Sequence, residues 1–88
     1  MNHHELVAAL REAGVSDTVY GIATRDLTTF DALLEAVPIL VESADGHWSV
    51  DVWERGEHWV EASFDSEDDA CAYIHQKVMR QWTMRQAN

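Results

Sequence analysis

The stretch from Trp48 to Phe64 reads WSVDVWERGEHWVEASF, two runs in which apolar and polar side chains alternate on either side of Gly56. A period of two sends successive side chains to opposite faces of a strand, so the pattern predicts a half-buried antiparallel hairpin. Asp45-Gly46 supplies the turn leading into it, because Asp bonds to nearby backbone and Gly tolerates positive φ. A three-residue connection, Glu54-Arg55-Gly56, with Gly56 in the left-handed bulge position, brings Val50 opposite Val60. Trp48, Val50, Val52, Val60, Ala62 and Phe64 then share the core face. The opposite face carries Asp51, Trp53, Glu57, Trp59 and Glu61, with Ser49 and Ser63 at its edge.

Such a sheet needs cover for its apolar face, and the chain ends supply it. His4 to Ala13 carries Leu6, Val7 and Leu10 at helical spacing, with Gly14 as terminator. Toward the other end, Asp65 or Ser66 is placed to cap a helix whose first turn holds Glu67, Asp68 and Asp69, where the positive end of the dipole favours them. Cys71, Ile74, Val78 and Trp82 recur on one stripe of that helix, flanked by Ala70, Tyr73 and Met79. Between these lie a short strand over Val19 to Ala23, weakened by Gly21, and a helical turn over Phe30 to Ala36. A strand follows from Ile39 to Glu42, after Pro38, whose missing N–H argues against a place in the middle of a sheet. The expectation is an α+β fold: an antiparallel sheet of three or four strands with an N-terminal and a C-terminal helix packed on one face. It is read as a single acidic domain over residues 1–88 with frayed ends.

Size and charge restrict what this fold does. A domain of 88 residues buries only about 60% of its extended-chain surface, leaving one core and little room for an elaborate internal catalytic cavity. Acidic side chains number 16 against six Lys and Arg, a formal net charge of -10. Residues 42–69 hold ten of the acids and a single base, Arg55. Such a field repels phosphate backbones and anionic lipid, which disfavours direct nucleic-acid or membrane binding and favours a basic protein partner. No apolar run approaches the roughly 20 residues that span a bilayer, and the N-terminus lacks a secretory pattern, so a cytoplasmic location is expected. Cys71 is the only cysteine, which excludes an intrachain disulfide and reads as a buried structural thiol.

Chemical motifs are sparse. His3 and His4 adjoin near the start, and His47, His58 and His75 show no HxxxH or HExxH spacing, so no metal site is expected. His58 is placed at the sheet margin, where neighbouring acids would make it titrate with an interface. Asp51 and Glu61 share a face, but acid–base catalysis also needs a partly dehydrated pocket that separates their proton affinities. The chain is accordingly not read as an enzyme, and no catalytic residue or cofactor is expected. Trp53 and Trp59 carry the sharper choice between packing under another element and anchoring an interface, where tryptophan is enriched at hot spots. Trp48 and Trp82 are assigned to the core. The candidate protein-binding residues are thus Asp51, Trp53, Glu57, Trp59 and Glu61.

Three stretches together resemble the small immunity proteins of bacterial polymorphic toxin systems, including those of contact-dependent inhibition. They are LREAGVSDTVYGI, ESADGHWSVDVWERGEHWVEASF and DSEDDACAYIHQKV. The resemblance implies a stoichiometric inhibitor that occludes a basic toxin, its carboxylates imitating nucleic acid where that toxin is a nuclease. The alternative on the same residues is an acidic protein-interaction or regulatory module, including a homodimeric one.

Overall fold

A computed structural model describes residues 1–29, 36–54 and 56–86, the last two of these as backbone only. The chain begins with helix α1, His3–Glu12. The Asn2 side chain accepts from the Glu5 N–H while the Glu5 carboxylate accepts from the Asn2 N–H, a capping box that satisfies two otherwise free donors. Leu6, Val7 and Leu10 form its buried stripe, as their spacing predicts. The strands follow as β1 (Gly21–Ala23), β2 (Thr28–Thr29), β3 (Val37–Glu42), β4 (Trp48–Glu54) and β5 (Glu57–Phe64), and the chain closes with helix α2, Glu67–Gln86. Ser66 caps α2, its hydroxyl accepting from the Asp69 N–H at 3.2 Å.

The five strands form one sheet in the order β2-β1-β3-β4-β5. The α+β class and the two terminal helices agree with the sequence pattern, but the sheet is larger than expected and mixed. β1 runs parallel to β3, while the remaining pairs are antiparallel. The additional strand, β2, is two threonines long and carries no apolar alternation to announce it. Pro38 lies inside β3, paired with Val52. It is tolerated there because β1 pairs with β3 only from Ile39 onward, so Pro38 precedes that ladder. The helical turn expected over Phe30 to Ala36 lies outside the described residues except for Ala36, as do residues 87 and 88 of the expected frayed end. At the other end, the amino terminus is tied to Asp68 on α2.

One hydrophobic cluster joins both helices to one side of the sheet. Leu6 and Leu10 from α1, Cys71, Ile74 and Val78 from α2, and Ile22, Leu40 and Val50 from the strands are all buried in it, with Trp48 at its margin. Each such side chain contributes about 1.5–3 kcal/mol relative to exposure. Phe64, Tyr73 and Trp82 pack partly buried against it. Burial, then the charge of Glu67, pushes the Cys71 thiol up to about 12, which keeps it protonated at neutral pH. Among the described residues no helix is long and apolar enough to cross a membrane.

Candidate protein-interaction surface

The hairpin β4–β5 forms, but its register departs from the expected one in two places. Glu54 pairs with Glu57, so the connection has two residues rather than three, with Gly56 at φ +81. This moves Val60 opposite Asp51 and Trp59 opposite Val52. A β-bulge between Val50 and Asp51 then inserts Glu61 as the extra residue, and beyond it Ala62 pairs with Val50 and Phe64 with Trp48. Because a one-residue slip flips every side chain to the other face, the two departures invert residues 57–60 while leaving Ala62 and Phe64 as expected.

The five predicted binding residues are therefore separated. Asp51 and Trp53 lie on the side away from the helices, since they alternate with Val50 and Val52. Asp51 is only 7% exposed and accepts from the Ser49 hydroxyl at 2.9 Å, so it is a buried polar group with a partner rather than a surface contact. Trp53 is 46% exposed and stacks on His58, the ring centroids 4.5 Å apart and the planes 14° from parallel. Val60, expected in the core, is 54% exposed on that same side. His58 thus sits beneath an aromatic face, near the margin where the sequence places it.

Glu57, Trp59 and Glu61 take the helix side. Trp59 stands opposite Val52 and is 46% exposed. Glu57 stands opposite Glu54, a like-charge pair that destabilises the tip unless a cation approaches it. Glu61 is drawn onto α2, where its carboxylate accepts from Lys77 Nζ at 2.8 Å and from the Tyr73 hydroxyl. Partial burial opposes its charged form, but the bonds from Lys77 and Tyr73 outweigh this and hold its carboxyl below the ordinary value. Donating to the Glu61 carboxylate also raises the pKa of the Tyr73 hydroxyl. Glu61 is a clamp between strand and helix, not part of a free face.

What the hairpin does present is an exposed tip. Trp53, His58 and Val60 line one side, Trp59 the other, and Glu54 and Glu57 provide the negative rim. β5 is also an edge strand, exposed from Glu57 through Glu61. A separate cavity of about 310 Å³ lies between Val19, Val37, Val78, Gln81, Trp82 and Met84, with no ionisable side chain among the described residues that line it.

A further group was not anticipated from sequence. His3 and His4 begin α1, Asp26 follows β1, and Glu67 begins α2. His3 Nδ1 lies 2.6 Å from Glu67 Oε2 and its Nε2 2.8 Å from Asp26 Oδ1, while His4 Nε2 lies 2.7 Å from Asp26 Oδ2. Burial works against a charged His3, yet the bonds to Glu67 and Asp26 leave its pKa raised. Bonds from His4, His3 and Thr24 hold Asp26 well below the usual carboxylate range. The only sequence signal for this cluster is the His-His doublet at a capped helix start, since Asp26 and Glu67 are far away along the chain. Comparison with protein-family models, with curated proteins and with solved structures gives no match for this chain.

Proposed function

We propose that the protein is a stoichiometric protein-binding inhibitor that occludes a basic partner through the tip of the β4–β5 hairpin, in the manner of a toxin-neutralising immunity protein. The observation that carries this reading is the joint exposure of Trp53, Trp59 and Val60 on one hairpin tip rimmed by Glu54 and Glu57. Large apolar side chains with few rotatable bonds lose little entropy on docking, and an O-ring of weaker contacts excludes water around them. The net charge of -10 steers a cationic surface toward the tip, and approach of that surface relieves the repulsion between Glu54 and Glu57.

A second reading is an acidic interaction module that pairs with its own copy. The unpaired edge of β5 favours it, because an open edge is a template for strand addition. The two readings separate in one experiment. Immobilised parent chain and a Trp53→Ser/Val60→Ser variant are compared by quantitative mass spectrometry of captured native-cell proteins. Any differential partner is then purified and titrated. The inhibitor reading expects a basic protein forming a 1:1 complex with the parent, weakened at least about 30-fold by the variant and weakened further by salt. Equal capture by parent and variant refutes it. A parent that sediments as a dimer dissociated by the variant establishes the homotypic reading instead.

A further inference from the structure

We infer that His3, His4 and Asp26 form a binding site for a divalent transition-metal ion of the zinc class, with Glu67 orienting His3. One ligand atom from each of the three residues lies within 4.8 Å of the others. Imidazole and carboxylate together suit a borderline-soft ion better than Mg²⁺ or Ca²⁺, which favour all-oxygen shells.

The arrangement has the layered form that metal-ligating histidines adopt. His3 is the fixed ligand: its side chain is only 12% exposed, and Glu67 accepts from both its Nδ1 at 2.6 Å and its backbone N–H at 2.8 Å. A carboxylate on one ring nitrogen sets the tautomer and aims the other nitrogen at the metal. Asp26 is oriented in turn by the Thr24 hydroxyl, which donates to its Oδ1 at 3.0 Å. His4 and Asp26 are exposed and free to adjust. Zinc–nitrogen and zinc–oxygen bonds of about 2.0–2.2 Å set tetrahedral donors roughly 3.3–3.5 Å apart. His3 Nε2 and His4 Nε2 lie against different Asp26 oxygens, 2.8 Å from Oδ1 and 2.7 Å from Oδ2, so binding turns one oxygen of this exposed carboxylate toward both imidazoles as the donors spread by about 0.5–0.8 Å.

The proton balance is simple. In the metal-free arrangement both Nε2 atoms donate N–H to Asp26. On binding, His3 releases its Nε2 proton to solvent and keeps Nδ1–H on Glu67. His4 likewise gives up its Nε2 proton and carries one on Nδ1, so that Nε2 presents a lone pair. Three protein ligands leave the fourth tetrahedral position to water. The starting ends of α1 and α2 meet here and oppose a cation. Glu5, Asp26, Glu67 and Asp68 outnumber the amino terminus at this point and offset them. A bound ion ties α1 to the β1–β2 segment, with Glu67 at the start of α2 holding His3 in place.

The test uses the full chain without an affinity tag, titrated with zinc chloride by calorimetry at about pH 7.5, above the ordinary imidazole value, where displacing the His3 proton opposes binding less than at lower pH. One equivalent is expected to bind, with affinity falling at least about 10-fold in His4→Ala and in Asp26→Asn, and by about 10–100-fold in Glu67→Gln. Circular dichroism of the exposed-site variants should match the parent. In imidazole nitrogen NMR, zinc should shift His3 and His4 and leave His47, His58 and His75 in place. Unchanged affinity in both His4→Ala and Asp26→Asn, equal shifts at all five histidines, or absence of stoichiometric binding each overturns the site.

Discussion

The two ends of the β4–β5 hairpin are built from the same kinds of residue and have opposite fates. At its base, Trp48 and Val50 are buried in the core, Ala62 and Phe64 are partly buried, and Glu61 is clamped to α2 by Lys77 and Tyr73. At its tip, Trp53, Trp59 and Val60 are among the most exposed large apolar side chains in the described chain. Hydrophobicity does not distinguish the two ends. Cover by α2 and register do, since the tip lies where the turn and bulge reassign the faces. The contrast predicts its largest effect at the base. Leu40 pairs with Val50 and is fully buried, so Leu40→Ala should cost about 2–5 kcal/mol by denaturant titration, the price of a core cavity. A smaller loss, near that of a surface change, would mean that the base is not anchored as described.

The clamp between base and tip should respond to acid. Glu61 has a folded pKa below its ordinary value of 4.5, so its contribution is present above that value and is lost as pH falls through the lower folded value. With its side chain a quarter exposed, the contribution should be at most about 1 kcal/mol. Glu61→Gln keeps the shape and abolishes the titration. The stability gap between parent and Glu61→Gln should therefore narrow as pH is lowered from about 6 toward 3. A gap that widens on acidification would contradict the Lys77 and Tyr73 contacts.

Legibility in the sequence followed the length of each pattern. The α1 stripe at Leu6, Val7 and Leu10 covers about one turn and the α2 stripe at Cys71, Ile74 and Val78 about two, and both helices emerge where expected. β2 is two polar residues long and its pairing is set by partners distant in the chain, which leaves no local period to detect. β3 hides its start behind Pro38, acceptable only because β1 begins pairing one residue later. In the hairpin, the alternation of VEASF from Val60 to Phe64 is uninterrupted, so nothing in it marks Glu61 as an inserted residue. Of the proposed face, Trp53 and Trp59, whose exposure the sequence leaves open, are both exposed but on opposite sides of the sheet, Asp51 is buried, and Glu61 is engaged elsewhere. Faces of a strand depend on every residue between it and the turn, so an error of one position is enough to exchange core and surface.

That sensitivity makes Val60 the most discriminating position, although it should yield the smallest change in stability. In uninterrupted alternation from a three-residue turn, Val60 faces the core, and Val60→Thr would bury a hydroxyl without a partner at a cost of about 1–3 kcal/mol. In the observed register Val60 is 54% exposed opposite Asp51, so the same substitution leaves its hydroxyl in water. Threonine retains the β-branch that suits a strand. Val60→Thr should accordingly change folding stability by no more than about 0.5 kcal/mol, with an unaltered denaturant slope. Because Val60 shares its side with Trp53 and His58, the variant removes apolar contact area from the tip while leaving the fold intact, so any loss of partner binding reports on the surface itself. A destabilisation of the size expected for a core hydroxyl would restore the three-residue turn and place Trp59 beside Trp53 on the side away from the helices.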